Sequence, residues 1–152
     1  MTAAAGAVLA RSTASRAVVS LGSNIEPRGE YLARALELLG TLPDTVLEAA
    51  GNVIETEPEE VPAQYAELRF LNQIALFRTT LGVREFSRLM HAVEDELGRV
   101  RTVRNGPRTI DLDLIDFDGM RIDEPGLTLP HPRAKARAFV MRPMAELGLT
   151  LE

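Results

Sequence analysis

The chain has 152 residues, 45% hydrophobic and 26% charged, with no cysteine and a formal net charge of −5. That length suits one domain with a real core, and the missing cysteines exclude disulfides and thiolate metal sites, consistent with a reducing cytoplasm. No apolar run approaches the ~20 residues of a membrane span, which argues against an integral membrane protein, and the net acidity argues against nucleic acid as the main partner.

The opening MTAAAGAVLARSTASR is rich in small residues and carries Arg11 and Arg16 without acid. Its apolar block is short for a secretory signal; the composition fits an organelle transit peptide somewhat better. The plainest expectation is a poorly ordered extension over residues 1–16, followed by a single domain over 17–152. AVVSL at 17–21 reads as a buried strand. GSNIEP then leads into a helix with Leu32, Ala35, Leu36 and Leu39 on one face, Pro27 in its first turn and Gly40 at its stop. Residues 45–57 are strand-like in their second half and drift into a Pro- and Glu-rich loop over 56–64. FLNQIALFR at 70–78 alternates as a strand, with Asn72 sharing a face with Phe70 and Ile74.

Apolar residues at 83, 86, 89/90, 93 and 97 predict an amphipathic helix ending at Gly98. An Arg-rich loop over 99–108 precedes a strand at 110–117, the FDGM turn, a short strand and loop, and a possible last element at 137–146. Strand, helix, strand, strand, helix, strand is the ferredoxin-like βαββαβ order. It implies an α+β fold, an antiparallel sheet with helices packed on one face.

Within this frame GPRTIDLDLIDFDG, residues 106–119, sets Asp111 and Asp113 two positions apart between apolar neighbours. Strand geometry points both carboxylates to the face opposite Ile110, Leu112 and Leu114. Two bare carboxylates about 5 Å apart repel by about 3 kcal/mol at an effective dielectric near 20, so the pair asks for a counter-charge. A hard cation such as Mg²⁺, held by one or two carboxylates with phosphate oxygens and water, supplies it. A solvent-facing pair partnered by nearby arginines would do so as well.

Arg99, Arg101, Arg104 and Arg108 lie within 97–110 without an acid, and Arg133, Lys135, Arg137 and Arg142 within 125–145 likewise. Planar guanidinium forks match polyphosphate oxygens, so basic loop and carboxylate pair together outline a nucleotide-triphosphate site. His131, flanked by two prolines, extends the same anion surface. His91 and Glu94 stand three apart on the second helix and are explained as neighbours on its surface. The sequence has neither a Walker A loop, a GxGxxG motif nor an HExxH motif.

RNGPRTIDLDLI at 104–115, with LGSN at 21–24, FLN at 70–72, ELGRVR at 96–101 and LTLPHPRAKARAF at 127–139, resembles the 6-hydroxymethyl-7,8-dihydropterin pyrophosphokinase family of folate biosynthesis. The likeness spans about residues 17–147. It implies a Mg-dependent transfer of pyrophosphate from ATP to the pterin hydroxymethyl group, releasing AMP, on a ferredoxin-like fold. By the same resemblance Asp111 and Asp113 hold two Mg²⁺ ions, and Arg99 and Arg108 act on the triphosphate and the transition state. Arg101, His131 and Arg137 contact phosphate, and Glu94, Thr128 and His91 belong to the ATP site, His91 standing where the family can have Gln. Thr56, Asn72, Phe139 and Phe70, the last in place of a more usual Tyr, line the pterin pocket. Asn105 stands where the family frequently has Trp, and TEPEEVPAQYAEL is more acidic than the usual loop. The implied partners are the two small substrates, without nucleic acid or membrane, for a cytoplasmic monomer or weak homodimer. A non-catalytic nucleotide-binding module of the same fold remains the alternative at this point, with an RNA-binding ferredoxin-like domain behind it.

Overall fold

The run of apolar and small residues after Arg16 suits a strand covered on both faces, and it occupies the middle of the sheet. The structure, a computed structural model, describes residues 14–57, 69–98 and 108–151. The expected extension over 1–16 lies outside the described residues except for its last three. In chain order the main elements are β1 (Ser15–Ser23), α1 (Arg28–Gly40), β2 (Thr45–Ala50), β3 (Ile54–Thr56), β4 (Phe70–Thr79), α2 (Val83–Glu96) and β5 (Asp111–Phe117). A small ribbon of β6 (Ile122–Glu124) and β7 (Leu127–Leu129) follows, then a 3₁₀ turn at Ala134–Ala136 and α3 (Ala138–Glu146).

The sheet runs β2-β4-β1-β5, every pairing antiparallel, with β3 continuing β2 along β4. This is the ferredoxin-like arrangement expected from the element order. Pro27 caps α1 from just outside rather than within its first turn, its carbonyl accepting from the N–H groups of Glu30 and Tyr31. Gly98 follows α2 with φ +83°, a conformation glycine adopts without strain. Strand structure begins at Thr45, earlier than the sequence pattern implied. β2 is an outer, mostly exposed strand held by its backbone pairing to β4, so it lacks the apolar alternation that would announce it.

The two sheet faces are covered differently. Ala17, Val19, Leu21, Ala75, Phe77, Leu112, Leu114 and Phe117 pack with Leu32, Ala35 and Leu39 of α1 and Phe86, Met90 and Val93 of α2. On the other face Val18, Ile74, Leu76 and Ile115 pack under Val140 and Met144 of α3. The two long helices therefore share one face as expected, while the short C-terminal helix covers part of the opposite one. Beyond its reach the second face continues as Ser20, Gly22, Phe70, Asn72, Asp111 and Asp113.

The register of β1 with β5 shifts between Val18 and Val19. Val19 lies opposite Leu114 and Val18 opposite Asp116, leaving Ile115 as the extra residue of a β-bulge. Asp111, Asp113 and Ile115 consequently share one face, whereas Phe117 returns to the two-helix side.

Candidate active site

Register pairing assembles the floor. Gly22 lies opposite Asn72 on β4 and opposite Asp111 on β5, and Ser20 lies opposite Asp113. A Cβ on Gly22 would stand 3.1 Å from Asn72 Oδ1 and 3.5 Å from a Phe70 ring carbon, so the missing side chain leaves room for both. Asn72 is buried, and its Nδ2 donates to Thr56 Oγ1 at 2.5 Å. These residues, with Asp111, Asp113, Arg108, His131, Arg137 and Phe139, line one cleft of about 340 Å³.

Each carboxylate meets its own basic side chain. Arg108 Nη1 lies 3.0 Å from Asp111 Oδ2, with both side chains about one-fifth exposed. His131 Nε2 lies 3.7 Å from Asp113 Oδ1. The His131 backbone N–H donates to the Ile115 carbonyl, tying the proline-flanked loop to β5. Its ring Nδ1 accepts from the Arg133 N–H at 3.2 Å, which leaves Nε2 to face Asp113. Burial alone would raise the Asp113 carboxyl. The nearby His131 imidazole and the Arg137 and Arg108 guanidinium groups outweigh it and hold the group below its ordinary value. Arg137, which precedes the first turn of α3, places its guanidinium 5.4 Å from the centre of the Phe139 ring.

A second hollow of about 270 Å³ lies between α2 and the β6–β7 ribbon, lined by Ser87, Met90, His91, Leu127 and Thr128. It shares Asp113, His131 and Pro132 with the first cleft, so these residues border both spaces. Glu94 lines neither. It is wholly buried, with Oε1 2.8 Å from His91 Nδ1 and Oε2 accepting the Leu112 N–H at 2.7 Å. The candidates Arg99 and Arg101 lie outside the described residues.

Thr56, Phe70, Asn72, Arg108, Asp111, Asp113, His131, Arg137 and Phe139 are thus gathered in one cleft, with His91 and Thr128 in the adjoining hollow. Arg133, expected to extend the anion surface, also lines the cleft, with Gly22 of LGSN and Pro132 beside His131; Ser20 and Glu57 line it too and were not singled out. Ser20 could have been found by following the alternation of β1 past Val18. Among the described residues no group of three or more His, Asp or Glu side chains is gathered to hold a metal ion. A carboxylate pair beside open space nevertheless fits Mg²⁺, which usually takes one or two carboxylates and fills its remaining positions with phosphate oxygens and water.

An antiparallel α+β sheet that sets two acids against guanidinium and imidazole groups, with an aromatic-walled space alongside, has the side-chain chemistry that phosphoryl-group transfer uses. Residues 18–148 match the family model described as 7,8-dihydro-6-hydroxymethylpterin-pyrophosphokinase. The chain is 39% identical over 136 residues to the 2-amino-4-hydroxy-6-hydroxymethyldihydropteridine pyrophosphokinase of Bacillus subtilis, covering 90% of this chain and 80% of that one. The enzyme of the same name from Pseudomonas aeruginosa is 39% identical over 133 residues, covering 88% and 80%. A solved HPPK-DHPS structure in complex with substrates superposes with a TM-score of 0.64 at 10% identity, covering 88% of this chain and 40% of that one, and supports the fold alone. The chain belongs to the 7,8-dihydro-6-hydroxymethylpterin-pyrophosphokinase family.

Proposed function

We infer that the chain transfers pyrophosphate from ATP to the hydroxymethyl group of 6-hydroxymethyl-7,8-dihydropterin, releasing AMP, in the cytoplasmic synthesis of folate. The observation that carries this reading is the lining the two spaces share: Asp113, His131 and Pro132 border both the hollow beside α2 and the cleft that holds Phe139, Phe70 and Asn72. In the reaction the pterin alcohol oxygen bonds to the β-phosphorus, the bond from that phosphorus to the AMP oxygen breaks, and the alcohol proton is lost. Charge gathers on the bridging and equatorial oxygens.

His91 and Thr128 hold the nucleoside in its hollow. Arg108, Arg137 and His131 face the phosphates, where fixed donors in a partly buried site stabilise developing charge; by family resemblance Arg99 and Arg101 join them. Phe139 stacks on the flat pterin, Asn72 reads its amide edge beside Thr56, and Phe70 closes the wall. Asp111 and Asp113 would hold Mg²⁺, two ions by family resemblance, which when bound would neutralise charge on phosphate oxygens. The partners are the two small substrates, with no role for nucleic acid or membrane, and the protein works as a monomer or weak homodimer.

AMP release from Mg-ATP, with and without the pterin, tests the reading. Pterin-dependent AMP is expected, and Asp111→Ala or Asp113→Ala should abolish it while leaving the thermal unfolding profile intact. ATP binding without pterin binding or turnover would instead indicate a non-catalytic nucleotide-binding module.

A further inference from the structure

We propose that Asn24 is a positioning residue that holds the backbone of Arg108 so that its guanidinium stands beside Asp111. The inference rests on the role given above to Arg108. In a regular strand, residues three apart point to opposite faces. Arg108 and Asp111 are three apart, yet their side chains meet at 3.0 Å. The chain must therefore leave strand geometry between them, and it bends at Thr109 just before β5 begins. Something has to fix that bend.

Asn24 does so from just past the end of the neighbouring strand β1. The β1–β5 ladder closes with Gly22 opposite Asp111, and continuing its register would set Asn24 opposite Thr109. Asn24 instead reaches one residue further. Its backbone N–H donates to the Arg108 carbonyl at 3.2 Å, and its side-chain Oδ1 accepts the Arg108 N–H at 2.7 Å. Both peptide groups of Arg108 are thereby held by one residue, the side-chain oxygen standing in for the strand carbonyl that the bend displaces. Asn24 is 5% exposed and is not among the residues lining the cleft, so it acts through Arg108 rather than on substrate. An aliphatic side chain in its place removes the acceptor; Asp keeps an oxygen at the same reach.

The test measures kcat for AMP formation in Asn24→Ala and Asn24→Asp, each made in the wild-type and the Arg108→Ala backgrounds. Exchange of the Arg108 amide proton is followed in the two Asn24 variants. Asn24→Ala should lower kcat by roughly 10- to 100-fold, the effect of a small misplacement of a reacting group, with KM for ATP changed far less. Asn24→Asp should recover most of the loss. In the Arg108→Ala background Asn24→Ala should cost little more, because residues acting through one another are not additive. Protection of the Arg108 amide should fall in Asn24→Ala and persist in Asn24→Asp. Wild-type kcat in Asn24→Ala, or independent multiplicative losses in the double variant, would overturn the proposal. Should Asn24→Ala fail to fold, Asn24→Ser, whose hydroxyl stops short of the Arg108 amide, gives the same comparison. A wild-type chain that forms no AMP would refute the assigned reaction, while the amide exchange would still decide whether Asn24 holds Arg108.

Discussion

Asp111 and Asp113 carry the same charge on the same face, but one is matched by a guanidinium and the other by an imidazole. In the proposed reaction the difference would suit them to separate tasks. Arg108 is permanently charged and forked, suited to follow a phosphate oxygen as its charge grows; His131 is held by its prolines and its link to β5 as a fixed donor. Arg108→Ala should therefore lower kcat about 10²–10³-fold, roughly 2.7–4 kcal/mol of barrier, with a smaller effect on ATP affinity measured by calorimetry. Gly22→Ala, whose methyl would press on the Asn72 amide, should weaken pterin binding well before it affects nucleotide binding. A third acid of β5 lies outside the site. Burial pushes the Asp116 carboxyl up, a Gly119 hydrogen bond opposes this, and the Asp118 charge raises it further. With its folded pKa above its unfolded one, the stability it contributes is full at low pH and is lost as pH rises through the folded value. Asp116→Asn should accordingly unfold at higher urea concentration than wild type at pH 7, the gap closing below about pH 4.

At the scale of elements, α3 links the core to the site. Met144 and Val140 bury against Ile74, Leu76 and Ile115, while the start of the same helix brings Arg137 and Phe139 to the cleft. Met144→Ala should cost about 2–5 kcal/mol of stability in urea titrations and reduce pterin affinity out of proportion to ATP affinity. The sequence offered little notice of this helix. It spans only nine residues with Pro143 inside, too short and interrupted for a clear period. By contrast α1 and α2 declared themselves through long apolar stripes, and β5 through its alternation of acid and aliphatic residues. The role of Glu94 was hidden for another reason. A carboxylate on a helix face reads as solvent-exposed, and only tertiary structure discloses that it accepts a strand N–H between the two aspartates. Most of the cleft was legible because its residues fall in short blocks with distinctive chemistry; Ser20 and Glu57, chemically ordinary, gave no such signal.

For the whole molecule, the sheet separates stability from chemistry. The face under α1 and α2 is filled by apolar side chains, among them Phe86 with its ring 6.4 Å from that of Phe77 and 6.0 Å from that of Phe117. Among the described residues, α3 covers part of the opposite face, and the cleft lies over the rest. Phe86→Ala should cost about 3–5 kcal/mol in unfolding free energy, with any enzyme that remains folded keeping near-normal KM values. Because ligand binds only the folded chain, Mg-ATP at one hundred times its dissociation constant should add about 2.7 kcal/mol of stability, and chelating the metal should remove much of that gain.

The extra residue at Ile115 changes what β5 can encode. Strict parity would make every odd-numbered position of the strand face the same environment, so Phe117 would have to suit the side that Asp111 and Asp113 need polar. One inserted residue resets the count, and odd positions can be acidic at one end and aromatic at the other without conflict. Mutational tolerance in this strand should therefore change rule partway along its length, a discontinuity that a strand without the insertion could not support.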